Sequence, residues 1–297
     1  MLVGARAALR ANVPYVVSPR GSLMTWSMRQ KALKKRLYLA LVERRLINGA
    51  AAVHTTTYLE QEQQEEWRFK APTVVIPNGL DIAPFQRLPK RGKLRQSLAV
   101  SPGGTLSLFV GRLHREKRVG LMIEAFAKVA EGMPEADLLI VGPEGDGSGR
   151  RAERQVHELG LSDRVHFSGM LTGSSLIQAY ADADMLVLLS HRESFGMVVV
   201  EAMAAGLPVL VSNEVGLAEE VVQAGAGYVV SAEPDQVANM WSQMLSASQL
   251  RRAMGARGRA LVQQRFSSKV AAAQMLDLLS RVSVKHRRGQ LHQWRPR

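Results

Sequence analysis

The run "SHRESFGMVVVEAMAAGLPVLVS" (190–212) sets two carboxylates, Glu193 and Glu201, eight positions apart in an otherwise largely apolar stretch. A carboxylate offers acceptor oxygens and no donor, which suits it to the hydroxyls of a sugar or a ribose. A helix can begin near Gly196, so Glu193 falls in the loop before it and Glu201 roughly 7.5 Å further along the axis. The first turn of that helix carries unpaired N–H groups and a positive dipole end, a site for phosphate. Gly196 has no Cβ and lets the backbone approach a ligand. The plain alternative is a solvated loop acid and a surface helix acid. Against it, Glu201 interrupts a helix that is apolar all round, hence buried, and a buried carboxylate needs partners.

A second constellation is "FVGRLHREKRV" (109–119). Gly111 permits a tight turn; Arg112 and Lys117 project from the loop before a helix. A guanidinium forks onto phosphate oxygens and an ammonium acts as a point charge, so the two could neutralise a diphosphate. The alternative is a charged, solvated loop. The stretch is not a Walker loop, since no GxxxxGK[ST] occurs. The seven histidines show no HxH or HxxxH spacing, so no metal site is expected.

These loops need a scaffold. Strand-like runs at 105–110, 137–141, 164–168, 185–190, 208–212 and 227–230 alternate with helical patterns near 119–131, 149–160, 174–182, 197–205 and 215–224. That rhythm predicts an α/β, doubly wound parallel sheet with ligands beyond the carboxyl ends of its strands. Both constellations follow strands, at that edge. Further helices are expected near 234–246, 248–264 and 268–282. The first 80 residues read as strands near 14–18, 50–55 and 72–77 with two helices, one of them long at 28–48, about half a nucleotide-binding-type domain. "IPNGLDIAPF" (76–85) reads as a hinge. The expected organisation is a partial amino-terminal lobe at 1–82, a complete lobe at 83–266, a closing helix at 267–284 packing back on the first lobe, and a basic, disordered tail at 285–297.

Composition narrows the classes. The 297 residues are 46% hydrophobic and 22% charged, ordinary for a chain with a real core. There is no cysteine, hence no disulfide or thiolate metal site, which fits a reducing, cytoplasmic setting. No apolar run suits a membrane span, and the first residues do not form a signal peptide. The net charge of +13 favours polyanions: nucleic acid, anionic lipid or phosphorylated small molecules. Aromatics make up only 5% and do not cluster with Lys and Arg, which argues against nucleic acid.

"VGRLHREK", "IPNGLD" and the paired-acid segment, in that setting, resemble the family 4 glycosyltransferases, retaining enzymes of the two-lobed GT-B fold. Residues 15–57 look like one bacterial branch that builds polysaccharides or glycolipids, and the likeness runs from about 13 to 270. It implies that Arg112 and Lys117 bind the donor diphosphate and that Glu193 contacts the transferred sugar and is counted with them as catalytic. It also implies donor-binding roles for Gly111, Ser194, Phe195, Gly196 and Met197, with Glu201 on the ribose and the backbone near Met170 and Leu171 at the nucleobase. Arg20 and Gly21 would stand on the acceptor side, Arg20 where many relatives carry histidine. No metal or cofactor is implied, the donor being UDP- or GDP-linked and the acceptor a saccharide or a lipid-linked molecule. The chain departs from the family at Arg118, where many relatives have glycine, and at "FSS" (266–268). Strands and a glycine-rich loop expected before residue 13 are missing. A non-catalytic nucleotide-sugar-binding fragment, or half of a split enzyme, is therefore the alternative function.

The helix at 28–48 carries seven basic residues against one acid, with Leu33, Leu37 and Leu41 on one face. Either those leucines pack on the amino-terminal sheet, or they meet an anionic membrane surface.

Overall fold

The computed structural model describes residues 2–24, 27–28 and 32–287. They fall into two compact units, Leu80–Ser267 and the remainder. Sequence boundaries drawn at 82/83 and 266/267 thus move to 79/80 and 267/268. The reason is local: Leu80 donates its N–H to the carbonyl of Phe266 at 2.7 Å and bridges to Ser267, which ties both residues into the larger unit.

That unit is built on six parallel strands: β4 (Thr105–Val110), β5 (Ala136–Val141), β6 (Val165–Gly169), β7 (Met185–Leu188), β8 (Val209–Ser212) and β9 (Gly227–Val230). Their spatial order is β6-β5-β4-β7-β8-β9. Helices cover both faces, so β5, β7 and β8 are buried at every position and read as unbroken apolar runs. Helix Val119–Gly132 turns Met122, Ile123, Phe126 and Val129 inward at helical spacing. Phe126 packs against Trp241, ring centroids 5.4 Å apart. The indole N–H of Trp241 donates to Ser107 Oγ at 2.7 Å, so the one hydroxyl on β4 that enters this core is paired. The strand order reverses between β4 and β7, the switch point beyond whose carboxyl ends such sheets form their ligand crevice.

The smaller unit has three short parallel strands, β1 (Val16–Val17), β2 (Ala52–Thr55) and β3 (Thr73–Val75), in that spatial order. Before residue 80, the described residues include helical stretches at Leu2–Arg10, 32–48 and Tyr58–Glu65, so two helices were too few. The stretch Tyr58–Glu65 escapes a hydrophobic-pattern reading because its buried positions are polar, Glu60 and Gln64. Its cap is visible only locally: Thr57 Oγ1 accepts the N–H of Glu60 at 3.1 Å. The stretch 32–48 contains a π-helical segment at Leu39–Glu43, and its buried residues are Leu39, Leu46 and Ile47. Leu33, Leu37 and Leu41 remain 85%, 58% and 72% exposed, so the alternative in which they pack on the sheet does not hold. Leu39 and Ile47 have taken the inward positions, beside Val17, Leu23 and Val53. Ser268–Arg287 belongs to this unit and packs Leu278 and Val282 with Ala52 and Ile76. Residues 288–297, most of the expected tail, lie outside the described residues.

Candidate active site

The loops after β4 and β7 meet at the crevice. Lys117 ends a short 3-10 turn, Arg115–Lys117, and its ammonium is ion-paired with the Glu193 carboxylate. An ammonium has three protons, so this pairing leaves two for a ligand. Arg112 is exposed on the same loop, its Cγ and Cδ 3.1 Å from where a Cβ on Gly145 would stand. Gly111 closes the strand by donating its N–H to Val141 O at 2.9 Å.

The paired-acid loop is fixed by its backbone. Gly216 donates to Glu193 O at 2.7 Å, and Glu193 donates to Glu214 O at 3.3 Å. Residue 216 must be glycine, because a Cβ there would lie 2.2 Å from Ser194 O. Gly196 caps helix Met197–Ala204 with φ +96°, a conformation that L side chains avoid. The Phe195 ring is buried edge-on to Phe266, centroids 5.9 Å apart, so at this position the backbone is what a ligand can meet.

Glu201 lies on the inner turn of that helix and accepts a hydrogen bond on Oε2 from the Tyr180 hydroxyl at 2.6 Å. Burial pushes the Glu201 carboxyl above the usual carboxylate range, and the Tyr180 bond pulls it partly back. Burial, and then Glu201, hold the Tyr180 hydroxyl well above the ordinary phenol range, so it keeps its proton and donates. Both residues wall a cavity of about 930 Å³ shared with Leu171, Gly173, Ser174 and the segment around Phe85 and Leu94. Leu171 and Glu201 are thus brought to one cavity, whereas Met170, 67% exposed, is not among its walls. Arg112, Lys117 and Glu193 are not among them either.

Sequence reasoning flagged Arg118 only as a departure. Its backbone is left-handed, φ +50° and ψ +41°, which gives a physical reason for glycine at this position in relatives. The guanidinium lies 2.6 Å from both Glu214 Oε2 and His191 Nδ1, and His191 Nδ1 lies 2.7 Å from Glu214 Oε1. Three side chains thereby join the loops after β4, β7 and β8 next to the Lys117–Glu193 pair. His191 lay inside the paired-acid motif without a role of its own; Tyr180 and Glu214 carried no motif, and only a buried tyrosine one helix before Glu201 could have drawn notice.

In the smaller unit, Arg20 and Gly21 both have positive φ, +48° and +78°. The fully buried Glu60 accepts from the N–H of Gly21 at 2.5 Å and from the N–H and hydroxyl of Thr56 at 2.8 and 2.9 Å. That carboxylate pins the loop and presents the exposed Arg20, whose guanidinium reaches Asn78 Oδ1 at 3.4 Å. Among the described residues no group of three or more His, Asp or Glu is arranged to hold a metal ion.

Comparison with known proteins identifies the family. Residues 90–261 match the family described as Glycosyl transferases group 1, and residues 1–79 match Glycosyl transferase 4-like domain. The chain is 31% identical over 211 residues to a D-inositol 3-phosphate glycosyltransferase of Segniliparus rotundus, covering 70% of this chain and 45% of the relative. It is 34% identical over 185 residues to an N-acetyl-alpha-D-glucosaminyl L-malate synthase of Bacillus anthracis, covering 61% of this chain and 47% of the relative. The chain thus spans about half the length of the curated relatives it matches. Among solved structures, sucrose-phosphate synthase of Thermosynechococcus elongatus superposes with a TM-score of 0.79 at 28% identity, over 94% of this chain and 70% of that one. Anabaena HepE, in complex with UDP and glucose, gives 0.76 at 27% identity, over 94% and 74%. With an α/β fold shared with GT-B enzymes and a family match over most of its length, the chain belongs to the group 1, family 4 glycosyltransferases.

Proposed function

We propose that the chain carries the donor site of a retaining glycosyltransferase, which moves a sugar from a UDP- or GDP-linked donor to a saccharide or lipid-linked acceptor in polysaccharide or glycolipid assembly. The observation that carries this reading is the Lys117–Glu193 pair, with Arg112 on the same loop, at the β4/β7 crevice. The binding of UDP and glucose by HepE supports a nucleotide-sugar donor. In this reading Arg112 and Lys117 meet the diphosphate, Glu193 meets the sugar hydroxyls and Glu201 the ribose. The sugar–phosphate bond breaks through an oxocarbenium-like state and leaves charge on the diphosphate. Arg112 and Lys117 stabilise that charge in the place of a metal, and the leaving phosphate takes the acceptor's proton as the new bond forms on the same face.

Arg20, on its Glu60-pinned loop, is the acceptor-side cation. The exposed Leu33, Leu37 and Leu41, flanked by Lys34, Arg36 and Arg45, support a peripheral contact with an anionic membrane at its cytoplasmic face. No described helix is long and apolar enough to cross a membrane. A nucleotide-sugar-binding chain without turnover is the second reading. Hydrolysis of UDP- and GDP-sugars by the purified chain separates the two. Release of UDP or GDP supports the enzyme, binding without release supports the binder, and neither overturns the donor site itself.

A further inference from the structure

We infer that Tyr180 is a positioning residue that holds Glu201 for the donor ribose, and that the pair selects ribonucleotide sugars over their 2′-deoxyribose counterparts. The inference rests on the nucleotide-sugar reading of the site. Tyr180 stands on helix Gly173–Asp182 and Glu201 on helix Met197–Ala204, so their hydrogen bond joins two elements at the cavity wall. Tyr180 is fully buried, its ring edge-on to Phe85 with centroids 5.9 Å apart, and it has little room to turn. Its hydroxyl occupies one lone pair of Oε2, which fixes the carboxylate plane and leaves Oε1 to accept from a ligand. A ribose fills that acceptor; a sugar lacking the 2′-hydroxyl leaves a desolvated oxygen short of a partner. Sites built to hydrogen-bond a hydroxyl reject analogues without it for this reason.

The same contact sets a pH dependence. Burial raises the Glu201 carboxyl and the Tyr180 bond lowers it. Protonated, Glu201 becomes a donor at one oxygen, so affinity for a ribose should fall as pH drops through its titration. Without the Tyr180 hydroxyl the lowering is lost, and the fall moves to higher pH. The other charged side chains on this cavity are Arg87 and Lys93, both in the segment at 84–97.

The test is calorimetric binding of UDP-glucose, GDP-glucose and their 2′-deoxyribose analogues between about pH 5 and 8, a range that spans the carboxyl and imidazole region. Wild type, Tyr180→Phe and Glu201→Gln are compared, with melting temperatures as a fold check. Wild type should favour the ribose form by about tenfold near neutral pH, and lose that preference at the acid end. Tyr180→Phe should lose about tenfold on the ribose form and little on the deoxy form, with its acid-side loss displaced upward. Glu201→Gln should show no acid-side loss. A wild type that binds neither donor overturns the nucleotide-sugar reading. A wild type indifferent to the 2′-hydroxyl, or a Tyr180→Phe chain with unchanged preference and pH profile, overturns the role of Tyr180 alone. Should Tyr180→Phe not fold, the wild-type profile decides: acid loss confined to the ribose form supports the pair, and equal loss on both forms overturns it.

Discussion

The two units solve the problem of a parallel sheet differently. The larger one buries six strands under helices, and three of its edge loops are stitched by Arg118, His191 and Glu214. The smaller one has three strands of two to four residues, a fully buried glutamate where an apolar side chain would be usual, and leucines facing outward on a basic helix. Both units bury acids with partners, Asp182 with the N–H groups of Gly92 and Leu94 and Glu60 with those of Gly21 and Thr56. The difference therefore lies in the apolar core, which spans the whole sheet of the larger unit and leaves a row of helix leucines outside in the smaller.

The contrast can be attacked from both sides. Trp241→Ala should cost about 3–5 kcal/mol, since it empties a fully buried site and orphans Ser107 Oγ; denaturant unfolding reads this directly. A loss under about 1 kcal/mol would mean that the larger unit is loosely packed after all. Arg112→Ala removes an exposed side chain, so the fold should hold while donor turnover falls about 10²–10³-fold. Near-normal turnover would detach the rim from the chemistry. Arg118→Gly should be more stable than Arg118→Ala by about 1 kcal/mol, because both lose the same contacts and only glycine relieves the left-handed backbone. Equal melting temperatures would show that the loop rearranges. Last, replacing Leu33, Leu37 and Leu41 together by serine should leave stability within about 0.5 kcal/mol per site while cutting capture on phosphatidylglycerol vesicles. A core-sized loss of stability, or undiminished capture, would break the contrast in the smaller unit.

Legibility from sequence followed the same divide. Strands β5, β7 and β8 of the larger unit announce themselves because buried parallel strands are continuous apolar runs, as in "DLLIV" and "MLVLLS". Lys117, Glu193 and Glu201 stood out because charge is conspicuous at the ends of such runs. The π-helical segment at 39–43 has no residue signature, and the polar stretch at 58–65 inverts the usual burial pattern. Tyr180 looked like any inward helix residue; its link to Glu201 depends on how two helices pack, which periodicity does not encode. The left-handed backbone at 118 was hinted at only by glycine in relatives.

One feature of the larger unit reaches beyond its own chemistry. Its edge loops and cavity lie wholly between Leu80 and Ser267, on a continuous piece of chain with a finished sheet. Recombination at those two junctions would carry the cavity and its loops into a new host intact. Under that modularity, the smaller unit can be exchanged while the larger is inherited unchanged.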